Sequence, residues 1–192
     1  MIPYIFNGKE NYGQSLIHLI NIYFDKDIIG IELGTGNAVS LCAWVQNCPN
    51  ILKMNSVDSF QPFINFLKNP YNQEPCFIGD EKNADYTELL ARHNIEFSGK
   101  KDKIILHKED SLSASKKFED HSLDFIFLDA WGSDVDVQND LNIWYPKLKV
   151  GGLFAGHDWD VEILQEKISI FRKNNNITNK ISSFDNVWVW KK

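Results

Sequence analysis

Five carboxylates stand at or just past the ends of apolar runs: Glu32, Asp58, Asp110, Asp129 and Asp158. If those runs are strands of one open parallel sheet, all five lie on its carboxyl edge, where such sheets bind ligands. Carboxylates gathered on one edge repel one another. Their complement is a cation, or a ligand carrying several hydroxyl and amino donors. Beside the last of them stands His157, a residue type whose reference pKa lies near neutrality and which could take a proton from a substrate. The plainer alternative is a structural histidine that caps the following helix.

Residues 32–38 read Glu-Leu-Gly-Thr-Gly-Asn-Ala. An apolar run that ends in an acid and passes into Gly-x-Gly predicts a buried strand, a tight turn and a helix N-terminus, which together cradle a small ligand. A dinucleotide fingerprint needs a further glycine at position 39, where this chain has Val39. The segment instead fits acid-x-Gly-x-Gly-x-small. Asp58 follows Gly36 by 22 residues, close to the roughly 20-residue offset of a ribose-binding acid. A carboxylate can accept both ribose hydroxyls at once; a solvated loop acid is the plainer reading.

These residues need elements to position them. Periodicity predicts an amphipathic helix over 12–24 and strands over 27–33, 51–57, 103–107, 123–128 and 153–156, the last entered through a Gly151-Gly152 turn. Helices are expected over 38–46, 86–94, 113–118, 135–148 and 161–172. Residues 60–83 contain Pro62, Pro70, Pro75 and Gly79 and read as a long irregular excursion. Residues 179–183 and 187–191 suit a hairpin, which must be antiparallel. The expected class is α/β: a Rossmann-like, doubly wound, seven-stranded mixed sheet with an antiparallel C-terminal hairpin. The expectation is one domain over 1–192, with residues 1–25 as an N-terminal helical extension.

Glu32, Gly34, Gly36 and Ala38 resemble motif I of the class I S-adenosylmethionine-dependent methyltransferases, with Ala38 where those proteins often have a third glycine. Phe125 to Ala130, Asp140, Trp144-Tyr145-Pro146, Gly151-Gly152 and Gly156-His157-Asp158 resemble small single-domain members of that family, whose fourth strand ends in Asp-Ala and whose fifth ends in Gly-His-Asp. These are distantly similar to the catechol O-methyltransferases. The resemblance covers the chain from Ile28 onward. It implies S-adenosylmethionine held by Glu32, Gly34, Thr35, Gly36, Asn37, Asp58, Ser59, Asp110, Ser111 and Asp129. In that pattern Asp110 and the Ser111 backbone read the adenine edge, and Glu32 orients the turn near the methionine ammonium. For Asp110 the plainer reading is a helix N-cap, and for Glu32 a turn-stabilising acid.

In the catechol enzymes the positions matching Asp129 and Asp158 hold a divalent ion that binds the acceptor oxygens, and two carboxylates with waters suit magnesium. The third ligand of that pattern, an amide, falls on Trp159, which cannot coordinate. A metal-free site with Asp129 and His157 as its catalytic residues is therefore favoured. Many relatives also carry a histidine and a tyrosine shortly after Asp-Ala, where this chain has Gly132 and Asp134. Trp131 and Trp159 follow edge acids and are expected, with Phe60 and Phe63, to wall an acceptor pocket.

Composition bounds the rest. The net charge of −6 argues against a basic nucleic-acid face. No apolar run approaches the roughly 20 residues of a membrane span, and no basic-then-apolar leader opens the chain. Three cysteines, Cys42, Cys48 and Cys76, have no metal-type spacing and read as idle thiols of a reducing, cytoplasmic protein. The expected activity is transfer of a methyl group to oxygen or nitrogen of a small-molecule acceptor. The alternatives are the same scaffold used for aminopropyl transfer or hydroxylation, and a non-catalytic cofactor-binding partner subunit. Self-association into a homodimer stays open.

Overall fold

A strand as apolar as residues 123–128 is satisfied only at the centre of a sheet covered on both faces. In the computed structural model, which describes residues 12–61, 63–64, 77–78, 81–130 and 134–192, that is where it lies. The strands are β1 (Ile28–Leu33), β2 (Ile51–Asp58), β3 (Phe63–Ile64), β4 (Phe77–Ile78), β5 (Ile104–Lys108), β6 (Leu123–Leu128), β7 (Leu148–Gly156), β8 (Ser182–Phe184) and β9 (Val187–Lys191). The main sheet has the order β5-β2-β1-β6-β7-β9-β8. Its first five members run parallel, and β9 is antiparallel to both β7 and β8. The mixed, seven-stranded sheet expected from the sequence is the one observed. The β8–β9 connection is only Asp185-Asn186, with φ of 47° and 63°, as a two-residue type I′ turn requires.

The helices are α1 (Tyr12–Tyr23), α2 (Val39–Asn47), α3 (Glu81–Phe97), α4 (Ser111–Ser115), α5 (Asp134–Trp144) and α6 (Glu162–Asn174). Alternation along β6 divides the core. Phe125 and Phe127 face a cluster with Trp44 of α2 and Leu16 and Ile20 of α1. Ile126 and Leu128 face a second, with Trp144, Phe154, Phe171, Trp188 and Trp190. Trp44 meets Phe125 and Phe127 edge-on, at 5.9 and 5.0 Å between ring centroids, the geometry favoured by the ring quadrupoles. Asp124, buried at the start of β6, accepts the Ile29 N–H at 3.0 Å and the Lys149 ammonium at 2.8 Å. This acid ties three adjacent strands together at the edge away from the site.

Several boundaries depart from expectation, each for a local reason. α4 starts at Ser111 instead of 113 because the Asp110 carboxylate accepts the Ser113 N–H at 2.8 Å and caps it. α5 stops at Trp144, and a 3₁₀ turn over Tyr145–Lys147 takes in Pro146, which has no N–H to continue the helix. Gly151 and Gly152 do not turn the chain into β7; they lie within it. Leu123 pairs with Leu148 and Phe125 with Leu153, so β7 carries extra residues as a bulge there. A Cβ on Gly152 would stand 2.7 Å from the Asp124 carbonyl oxygen. α3 begins five residues before the expected 86. Of the 60–83 excursion, β3 and β4 pair with each other, and the rest before Glu81 lies mostly outside the described residues. Cys42 and Cys48 are buried and unbridged, and burial pushes the Cys48 thiol up to about 11; Cys76 lies outside the described residues. No described helix is long and apolar enough to cross a membrane.

Gly156, the last residue of β7, lies under the Trp188 indole: a Cβ there would stand 2.6 Å from both Trp188 Cε2 and the Leu128 carbonyl oxygen. Backbone cannot yield as a side-chain tip can, so Gly156→Ala is expected to destabilise the protein by about 3 kcal/mol. Urea unfolding with an unchanged slope is the measurement; a midpoint equal to the parent's would show that the sheet absorbs the methyl group.

Candidate active site

The parallel ladder continues one residue beyond its strands, and that extension places the site. Gly34 N–H donates to Val57 O at 2.8 Å, Asp129 N–H to Leu33 O at 2.8 Å, His157 N–H to Leu128 O at 3.1 Å and Glu109 N–H to Asp58 O at 3.1 Å. The loops that carry the acids therefore leave the sheet in fixed register. Gly34 has φ of 90°, and a Cβ on it would stand 2.7 Å from the Asp129 carbonyl carbon.

The glycine turn is held from below by a polar relay. Thr35 Oγ1 lies 2.8 Å from Ser56 Oγ, Ser56 Oγ donates to Glu32 Oε2 at 3.0 Å, and Ser40 Oγ donates to Glu32 Oε1 at 2.6 Å. Glu32 is fully buried, so its carboxylate stabilises the turn from within. Thr35 is likewise buried and turned inward, whereas Gly36 is exposed. Gly36 has φ of 49° and nothing within 4 Å of where a Cβ would stand. Its N–H donates to Asp58 Oδ2 at 3.0 Å, and the Phe60 N–H donates to Asp58 Oδ1 at 2.8 Å. Burial pushes the Asp58 carboxyl above the usual range, against the pull of the Phe60, Gly36 and Thr35 backbone donors. Ser59 accepts the Gln61 N–H beside it. Asn37 completes the turn, and its carbonyl accepts Nδ2 of Asn94 at 2.8 Å.

At the end of β5, Asp110 is exposed and serves as the cap of α4. Its hydrogen bonds to Ser113 hold its pKa below the usual range. The Ser111 hydroxyl donates to the buried Asp140 and accepts Trp144 Nε1–H at 2.7 Å. The side chain of Ser111 is thus occupied from α5, and only its backbone can face the edge.

Asp129, His157 and Asp158 come together at the ends of β6 and β7. His157 Nδ1 lies 3.2 Å from Asp158 Oδ1 and 3.7 Å from Asp129 Oδ1, and one ligand atom from each of the three falls within 4.8 Å of the others. The corner carrying them is pinned by the C-terminal hairpin. Trp188 Nε1–H donates to His157 O at 3.0 Å, Trp159 N–H to Asn186 O at 3.0 Å and Asp160 N–H to Asn186 Oδ1 at 2.7 Å. Asp158 itself has φ of 58°. Of the aromatics expected to wall a pocket, Phe60 is instead buried in the α1–α2 cluster. Trp159 is partly buried against the opposite cluster. Trp131 and the Phe63 side chain lie outside the described residues.

The sequence reading missed Ser40, Ser56, Asn94, Asn186 and Trp188. Ser40 acts on a residue eight positions away and the others on residues more distant, and none stands in a motif.

Comparison with known proteins places this geometry. A family model described as a methyltransferase domain matches residues 31–159. Against curated proteins the chain finds no match. Among solved structures, an O-methyltransferase from Bacillus cereus in complex with SAH is similar at a TM-score of 0.63 and 15% identity, over 94% of this chain and 80% of that one. A methyltransferase from Geobacter sulfurreducens gives 0.63 at 14%, over 94% and 77%. Spermidine synthase from Thermotoga maritima gives 0.62 at 10%, over 96% of this chain and 60% of that one. At such identities these likenesses establish the fold.

The raised Asp58 carboxyl has a checkable consequence. Its folded-state pKa lies above the unfolded one, so burying its charge costs stability at neutral pH, and that cost fades as pH falls through the raised value. Carboxyl ¹³C shifts should show Asp58 protonating at higher pH than Asp110, whose pKa is lowered; the reverse order would remove burial as the dominant influence.

Proposed function

The chain belongs to this methyltransferase-domain family, and from that premise we propose that it moves a methyl group from S-adenosylmethionine to oxygen or nitrogen of a small-molecule acceptor. The observation that carries the reading is the open face at Gly36, with the Asp58 carboxylate hydrogen-bonded beside it. A turn with exposed backbone next to a strand-end carboxylate suits a ligand that offers vicinal hydroxyls. Asp58 accepts the ribose hydroxyls. Asp110 and the Ser111 backbone meet the adenine edge, Gly34 to Asn37 line the methionine portion, and Glu32 acts through the turn it braces. Asp129, joined to that turn through Gly34, faces the transferring group from the other side. The cofactor supplies an electrophilic methyl carbon on a sulfonium; the protein aligns the acceptor for in-line displacement and removes its proton.

His157 is the base. Its Nδ1 faces the two carboxylates, which hold the proton on that nitrogen and stabilise the imidazolium once Nε2 has taken the acceptor's proton. A second reading rests on the same cluster, because Asp129, His157 and Asp158 could together hold a divalent ion. Two carboxylates and an imidazole suit manganese or zinc better than magnesium, which prefers oxygen throughout, and Trp159 supplies no ligand in place of an amide.

S-adenosylhomocysteine should bind in the micromolar range by calorimetry, and Gly36→Val should weaken it at least about tenfold by filling the open face. Equal binding by both proteins, or tight binding of NAD instead, would refute the assignment of the turn.

With labelled S-adenosylmethionine and a panel of phenols, amines and sugars, His157→Ala should lower the rate about 10²-fold, and a chelator should leave the parent rate unchanged. Inhibition by the chelator, reversed by added manganese or magnesium, would support the metal reading over the base. Binding without methyl transfer to any acceptor would point to the non-catalytic alternative.

A further inference from the structure

Ala38 is held in a conformation that its own side chain disfavours. It has φ of 61° and ψ of 26°, is wholly buried, and begins α2 with no side-chain cap. A residue with a Cβ avoids this left-handed region, and alanine lacks the short polar side chain that lets asparagine or aspartate settle there. Two hydrogen bonds hold the peptide that joins Asn37 to Ala38. Its N–H donates to Thr35 O at 2.8 Å, closing the turn. Its carbonyl accepts Nδ2 of Asn94 at 2.8 Å, from a residue 57 positions away and only 2% exposed. Rotating Ala38 out of the left-handed region turns this peptide and carries its carbonyl away from Asn94.

Asn94 belongs to α3, which is docked at both ends of the turn's surroundings. Just past its C-terminus, Ser98 O accepts Gln46 Nε2–H of α2 at 3.0 Å. Nearer its start, Glu88 pairs with Lys108 at the end of β5, two residues before Asp110.

We propose that Asn94 is a positioning residue for the cofactor turn: it holds the Asn37–Ala38 peptide so that Gly36 and Asn37 present their backbone to the ligand, and so makes cofactor affinity depend on the docking of α3. This rests on the S-adenosylmethionine reading of the turn. It places a determinant of affinity on α3, at a residue 57 positions from the turn it holds.

The test is calorimetry with S-adenosylhomocysteine, well below the unfolding temperature, on the parent, Asn94→Leu, Ala38→Gly and the double variant. Leucine keeps the volume of Asn94 and removes its donor; Asn94→Ala replaces it if leucine is not accommodated. Asn94→Leu should bind about tenfold more weakly. Ala38→Gly should restore the double variant to within about threefold of the parent, because glycine takes positive φ without being held there. A merely structural Asn94 would lower the unfolding temperature and leave affinity unmoved. Parent-like affinity in folded Asn94→Leu, or a double variant as weak as the single, overturns the proposal. If the parent itself does not bind, the cofactor reading falls, and hydrogen exchange at the amide of residue 38, as protection relative to the intrinsic rate, decides this one. Faster exchange in Asn94→Leu that slows again in the double variant supports it; unchanged exchange overturns it.

Discussion

The contact between the backbone of Gly34 and that of Asp129 sets the distance between the two halves of the site. The loops after β1 and β6 approach so closely that a Cβ on Gly34 would stand 2.7 Å from the Asp129 carbonyl carbon. The Asp129 N–H is meanwhile drawn onto Leu33 O. On one side of this contact lie Gly36 and Asp58; on the other lie Asp129, His157 and Asp158. Neither half can shift along the sheet without breaking a ladder that is anchored in β6, whose residues are all buried. In-line transfer tolerates little misalignment between donor and acceptor, and a close approach of main chain to main chain is stiffer than any pair of side chains.

Strain gathers at this edge. Among the described residues, Ala38, Phe60 and Asp158 have φ of 61°, 50° and 58°, and each stands in a loop that follows a parallel strand. A left-handed residue with a Cβ costs roughly 1–2 kcal/mol, and an ordinary intramolecular hydrogen bond returns about 1 kcal/mol net. One or two bonds per strained residue are thus enough to offset it, and each has them. Thr35 and Asn94 hold the peptide before Ala38, the Asp58 carboxylate holds the Phe60 N–H, and Trp188 and Asn186 hold the groups on either side of Asp158. Around Ala38 and Asp158 the strain persists because α3 and the C-terminal hairpin impose it, and at Phe60 because the Asp58 carboxylate two residues back does.

Much of this was legible in the sequence, and the parts that were not share a cause. The strands from Ile28 to Leu33 and from Leu123 to Leu128, the Gly34–Gly36 turn and the acids past each strand are local signals, carried by runs and spacings. The hairpin was legible because two strand-like runs stand only three residues apart; that Asp185-Asn186 takes positive φ at both positions emerges from the fold. What escaped depends on side-chain contacts that no local pattern encodes. Ser40 and Ser56 neutralise the burial of Glu32, Asp140 and Trp144 occupy the Ser111 hydroxyl, and Asn94 reaches the turn across 57 residues. None of these leaves a period or a motif. Gly151 and Gly152 were misread for the opposite reason: two glycines look like a turn locally, and only the register against β6 reveals a bulge.

The five acids that look alike in the sequence prove to be of different kinds. Glu32 is buried among hydroxyls and braces the turn from within, whereas Asp110 is exposed and caps α4. Asp58 faces the glycine turn, and Asp129 and Asp158 converge on an imidazole. The charge beside the glycine turn and the charges around the imidazole are thereby separated, with the Gly34–Asp129 contact between them. Their supports are separate too: α3 braces the turn through Asn94, whereas the antiparallel hairpin braces the His157–Asp160 corner through Trp188 and Asn186. A sheet lacking β9 would keep the glycine turn and lose the indole that holds His157 O. The antiparallel strand is therefore more than a marker of fold class, because it holds the corner where Asp129, His157 and Asp158 meet.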